Sequence, residues 1–143
     1  MLVIKNNLIP FGRYTSMNLF GIIFTKVEID EKTINHERIH AYQMLELDSV
    51  VAIIIFALIY FAGISSWWLL TACFAYYVWY IIEYMWISVM HNTQFCSYMD
   101  VSFEEEAYAN DKDFSYIISR KPFAWIKYIA CESNHPDGKD CCK

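Results

Sequence analysis

The chain has 143 residues, enough for one domain with a modest core and too few for a separate substrate-binding module. Hydrophobic residues make up 57% and aromatics 18%, well above a soluble average, and a formal net charge of −5 argues against a nucleic-acid partner. Five cysteines, an odd number in irregular spacing, fit a reducing compartment better than a disulfide framework, and Met1 to Thr25 does not read as a secretory signal.

Residues 1–32 alternate short apolar runs with turn chemistry: Leu8-Ile9-Pro10-Phe11-Gly12, Leu19-Phe20-Gly21-Ile22-Ile23-Phe24, then Val27-Glu28-Ile29 before Asp30-Glu31-Lys32. This predicts a ribbon of two or three short strands, the second ending near Thr25. An exposed strand there can hold an extended peptide by main-chain pairing; a purely structural ribbon fits equally well.

From Ile34 to Ala62 neither Pro nor Gly interrupts the chain, and Thr33 or Asn35 can cap the long helix this predicts. Its first turns spell His36-Glu37-Arg38-Ile39-His40, an HExxH string. On a helix, imidazoles four residues apart project from one face and can close on one zinc ion, while Glu37 beside them polarises a water. The plain alternative is a solvated helix start.

Ser49 to Ile82 contains no charged side chain, and onward to Met99 only Glu83 and the titratable His91 interrupt. Gly63-Ile64-Ser65-Ser66 divides this stretch, predicting an antiparallel transmembrane hairpin with arms at 34–62 and 65–91. Two core helices of a soluble protein are the alternative. Every Lys and Arg lies either before the uncharged stretch, up to Arg38, or after it, from Lys112 onward, which predicts an integral membrane protein with both termini and the site on the cytoplasmic side. Glu83, an acid inside an apolar span, needs a partner or a task. Counting back along the hairpin puts it near Gln43 to Leu47, where it supports a ligand, competes to be one, or meets water. Gln43 is itself a candidate supporting or substrate contact, and His91 returns near His36 as a substrate, oxyanion or plain loop residue.

Ser102-Phe103-Glu104-Glu105 opens a helix predicted over 102–120, with Ser102 and Glu105 as a capping box and Pro122 as the stop. A catalytic zinc takes three protein ligands, and the fold-back of the hairpin brings this helix to the histidines. Glu106 is the expected third ligand and Glu104 the reserve. Asn110, one turn beyond Glu106, can accept a hydrogen bond from a ligand imidazole; a surface helix of solvated acids is the alternative. Residues 123–130 form a last amphipathic segment, closing a single domain at 1–130. Residues 131–143 read as a disordered tail whose Cys131, His135, Cys141 and Cys142 lack the usual metal spacing.

HERIH and EAYAN, in this order around an apolar hairpin, resemble the membrane-integrated gluzincins such as the HtpX-type heat-shock protease and the CAAX prenyl protease. There HExxH lies at the cytoplasmic membrane face and a helix carrying ExxAD supplies the third ligand; Asn110 stands where that motif has aspartate. HERIHAYQ with SFEEEAYAND is also similar to a group of small bacterial membrane proteins, from Pro10 to about Tyr128. The resemblance implies a mainly α (α+β) fold with a minimal zincin-like core, placed in the bacterial inner membrane. It also implies Zn2+ on His36, His40 and Glu106, Glu37 as the catalytic base, Tyr108 or His91 at the oxyanion, and a polypeptide substrate in or near the membrane. The competing expectation is a non-catalytic membrane protein that keeps the scaffold for binding or assembly.

Overall fold

Helix α1 (Glu31–Ala62) is the spine of the molecule, a rod of 32 residues that spans about 48 Å at 1.5 Å per residue. Its start is fixed by Asp30, not by Thr33 or Asn35: the Asp30 carboxylate accepts the Thr33 N–H at 2.9 Å, satisfying one of the free amides of the first turn. Its end is Gly63, in the left-handed conformation at φ +65°, whose N–H returns to the Ile59 carbonyl at 3.1 Å. The structure, a computed structural model, describes residues 2–6, 16–91 and 98–129. The expected tail 131–143 and the side chain of His91 lie outside the described residues.

The fold is mainly helical with one small sheet, in accord with the α+β expectation. Strands β1 (Leu2–Lys5), β2 (Ser16–Leu19) and β3 (Ile22–Thr25) lie in the order β1-β3-β2, with β1 parallel and β2 antiparallel to β3. Phe20 and Gly21, at φ +50° and +78°, make the tight turn between β2 and β3, the two-residue type that matches strand twist. The expected second strand ending near Thr25 is thus β3, the third in the chain. The edge strand β2 lies on α1, where Asn18 Nδ2 donates to the Glu37 carbonyl at 2.9 Å.

The returning segment is not one helix over 65–91. It runs as a 3₁₀ turn (Ser66–Trp68), a single turn α2 (Leu69–Ala72) and then α3 (Ala75–His91). The restart of α3 is governed by α1: Asp48 Oδ1 accepts the Tyr76 N–H at 3.0 Å, capping the new helix from a neighbouring rod. Among the described residues α1 alone is long and apolar enough to cross a membrane.

The predicted helix 102–120 also breaks. Helix α4 (Ser102–Asn110) stops at Asp111, and a separate turn α5 (Tyr116–Ser119) follows, then a 3₁₀ turn at Ala124–Tyr128. Between the two, Asp113 Oδ1 accepts both the Ser115 N–H at 2.9 Å and its hydroxyl at 2.6 Å, a local side-chain bond that competes with helix continuation. Nor does the Ser102–Glu105 capping box form. The N-cap position, Val101, has no capping side chain, and Glu83 of α3 accepts instead from the Ser102 N–H at 3.0 Å and its Oγ at 2.9 Å. At the other end Asn35 of α1, fully buried, shares its amide hydrogens among the carbonyls of Asn110, Asp111 and Asp113 at 3.1–3.2 Å.

Phe103 anchors α4 in a buried apolar cluster, stacked on Tyr76 at 4.7 Å and edge-on to Trp125 at 4.8 Å between ring centres. Elsewhere the usual pattern is inverted. On α3 the inner face carries Tyr76, Tyr80, Glu83 and Tyr84, while the outer face is apolar at every turn, with Ile82, Trp86 and Val89 exposed by 61%, 69% and 82%.

Candidate metal centre

Helical periodicity places His36 and His40 one turn apart on α1, and their rings meet edge to face, 4.6 Å between centres. Both present Nε2 to the same point, with the two nitrogens 3.0 Å apart. Glu104 of α4 completes the group: its Oε2 lies 3.3 Å from His36 Nε2 and its Oε1 3.4 Å from His40 Nε2. All three side chains are buried.

Four-coordinate zinc with nitrogen and oxygen ligands at about 2.0–2.1 Å requires ligand atoms roughly 3.3 Å apart. The 3.0 Å between the two nitrogens, and the 3.3 and 3.4 Å that separate each from one of the two Glu104 oxygens, lie close to that requirement. A second observation agrees: Glu104 Oε2 is buried and faces the His36 imidazole at 3.3 Å, an expensive position for a carboxylate oxygen unless a cation faces it. The electrostatics follow. Burial alone would raise the Glu104 carboxyl, yet the charge of His40 and hydrogen bonds to both imidazoles hold it well below the usual carboxylate range. The described residues therefore contain a buried His36, His40, Glu104 group able to hold a metal ion.

The expected ligand Glu106 is not part of this group. Its Oε1 accepts from Arg120 Nε at 2.7 Å and from the Tyr116 hydroxyl at 2.8 Å, and its Oε2 from Gln43 Nε2 at 3.0 Å. Two positions along a helix are turned by about 200°, so Glu104 and Glu106 cannot both face α1 in the same way. The guanidinium claims Glu106, and the reserve candidate Glu104 goes to the histidines. Asn110 also differs from expectation, since it bonds the Glu106 carbonyl at 2.7 Å and the Tyr128 hydroxyl at 3.3 Å, not an imidazole. Glu83 caps α4 and takes the Trp79 indole N–H at 3.1 Å, so its task is to hold the helix that carries Glu104.

Gln43 is the residue that meets an imidazole, its Oε1 2.8 Å from His40 Nδ1. Tyr108 leans on the His36 ring at 4.6 Å between centres. Burial first, then the charge of Glu104, raises its phenol to about 12, which leaves it a protonated hydrogen-bond donor at neutral pH. Glu37 is 5% exposed, with Ser16 Oγ of β2 donating to its Oε1 at 3.2 Å. His36, Glu37, His40 and Glu104 line one cleft of about 1160 Å³, walled on one side by β2 and on the other by tyrosines of α3.

Sequence reasoning missed Tyr76 and Tyr80. Tyr80 donates to Glu104 Oε1 at 3.0 Å, and the Tyr76 hydroxyl lies 3.3 Å from His40 Nδ1. The signal was present, because Tyr76, Tyr80, Glu83 and Tyr84 recur at helical spacing as the polar stripe of an otherwise apolar segment. Ser16 and Arg120 carried no such signal.

Comparison with known proteins finds no matching family model, no matching curated protein and no matching solved structure.

Proposed function

We propose that the chain is a membrane-bound zinc-dependent metallopeptidase that hydrolyses peptide bonds in or near the bilayer. The observation that carries this reading is the convergence of His36, His40 and Glu104 on one point, with Glu37 in the wall of the same cleft. Two imidazoles and one carboxylate are the donor set that suits zinc while leaving a position for substrate. Zinc held there supplies a Lewis acid toward water and toward a carbonyl oxygen. Glu37 takes the proton of the attacking water and returns it to the leaving amine. Tyr108, protonated, donates toward the developing oxyanion, and β2, an edge strand among the described residues, lines up an extended peptide across the cleft by strand addition.

The membrane placement is supported by the length and hydropathy of α1 and by the fully apolar outer face of α3, a polarity pattern that water disfavours and acyl chains accept. The absence of lysine and arginine from the uncharged stretch, with all of them before or after it, supports a site on the cytoplasmic side.

The test is metal content and peptide hydrolysis of the detergent-solubilised protein, alone and as Glu37→Gln and His40→Ala. Wild type should carry about one zinc and cleave; Glu37→Gln should keep the zinc and lose at least about a hundredfold in rate; His40→Ala should lose both. Zinc that is bound with no cleavage of any membrane-derived peptide would replace the peptidase by a binding scaffold. Release of the protein by alkaline carbonate would remove the membrane placement.

A further inference from the structure

Gln43 lies on α1 just under one turn beyond His40 and is wholly buried. Its amide is oriented without ambiguity. The nitrogen faces two acceptors, the Phe103 carbonyl and Glu106 Oε2, each at 3.0 Å, so both amide hydrogens are used there. The oxygen is then what faces His40 Nδ1 at 2.8 Å, and an amide oxygen can only accept. A hydrogen must therefore sit on Nδ1 of His40, which in the neutral ring leaves the Nε2 lone pair directed at His36 and Glu104. Tyr76 Oη, at 3.3 Å, is a second and longer contact to the same ring nitrogen.

The chain of contacts continues away from the metal centre. Glu106, fully buried, accepts from Arg120 Nε at 2.7 Å and Nη2 at 3.1 Å, and Arg120, almost as deeply buried, is held on its far side by both carboxylate oxygens of Glu46. Arg120 has no neutral form at physiological pH, so Glu106 stays an acceptor, Gln43 stays a donor toward it, and His40 keeps its Nδ1 proton. On the metal-centre reading above, we propose that Gln43, Glu106 and Arg120 form a positioning relay that sets the tautomer of His40, making the acid that resembles a ligand the anchor of a ligand instead.

The experiment compares wild type, Gln43→Met and the exchange Gln43→Glu with Glu106→Gln, which keeps an acceptor at His40, a donor between the two positions and the total charge. Two quantities are read on the full chain: the ¹⁵N shifts of the His40 imidazole in the metal-free protein, in alkaline solution where the ring is neutral, and the zinc dissociation constant. Wild type should show the proton on Nδ1. Gln43→Met should move it toward Nε2 and weaken zinc by about 10–100-fold, and the exchange should restore Nδ1 protonation and bring zinc affinity back to within a fewfold. A wild type with its proton on Nε2, or a Gln43→Met protein with both quantities unchanged, overturns the relay. So does a folded exchange variant that regains neither, and this variant decides the matter if Gln43→Met does not fold. The shifts need no metal, so a wild type that binds no zinc would sink the peptidase reading while leaving the relay to be judged on the tautomer.

Discussion

Replacing Glu83 with glutamine isolates the contribution of a helix cap supplied from another helix. In the wild type the two carboxylate oxygens accept three hydrogen bonds: the Ser102 N–H at 3.0 Å, the Ser102 hydroxyl at 2.9 Å and the Trp79 indole N–H at 3.1 Å. Glutamine keeps one acceptor oxygen for the Ser102 amide, but its NH₂ now faces two donors. Losing a charge-assisted bond costs about 1.5–3 kcal/mol, and losing the negative charge at the start of α4 costs about 0.3–1 kcal/mol more. The expected destabilisation is about 2–4 kcal/mol, a large share of a typical 5–15 kcal/mol. Denaturation of the metal-free protein in mild detergent measures it, and elemental analysis should find the zinc content of the native variant unchanged. A stability within about 0.5 kcal/mol of wild type would refute the capping role. Loss of zinc at unchanged stability would make Glu83 a ligand.

Glu104→Gln should abolish zinc binding, whereas Glu106→Gln should weaken it about tenfold through Gln43; titration against a competing chelator gives the order, and the reverse order would return Glu106 to the site. Glu105 is raised from its ordinary 4.5 to about 7, first by burial and then by the charges of Asp100 and Glu83. Between those values the folded chain holds a proton that the unfolded chain has released, so stability should fall as pH rises through this window. Glu105→Gln should remove that slope, and a melting-midpoint profile unchanged by the substitution would contradict the assignment. Phe103→Ala should cost about 3–5 kcal/mol, because the ring is fully buried between Tyr76 and Trp125. Ile118→Ala, at a position 89% exposed, serves as the near-neutral control in the same unfolding measurement.

What the sequence reveals and conceals here divides along the range of the forces involved. The pairing of His36 with His40 and the end of α1 at Gly63 follow from helical period and glycine conformation, both properties of neighbouring residues. The choice between Glu104 and Glu106 does not, because it depends on Arg120, which reaches Glu106 only after α4 has broken at Asp111. Ser102 and Glu105 match the capping pattern in sequence, but Glu83, from a different helix, takes the Ser102 amide and hydroxyl. The interruption at Cys73 and Phe74 has neither Gly nor Pro to announce it; Asp48, on a different helix, takes the amide of Tyr76 and sets the restart. Tyr76 and Tyr80 were legible but pass for headgroup anchors when only their aromatic character is counted, and their spacing shows the inward stripe.

Helix α4 owns neither of its caps. Nine residues are too few for a stable helix in isolation, and this one is clasped at its start by Glu83 and at its end by Asn35, from two separate rods. A nascent chain in which those rods have not yet met offers an ion only two imidazoles, a weak hold that a competing chelator easily strips away. If the centre takes a metal as proposed, loading is thereby deferred until assembly is finished, and the emerging polypeptide is spared capture of a stray ion along the way.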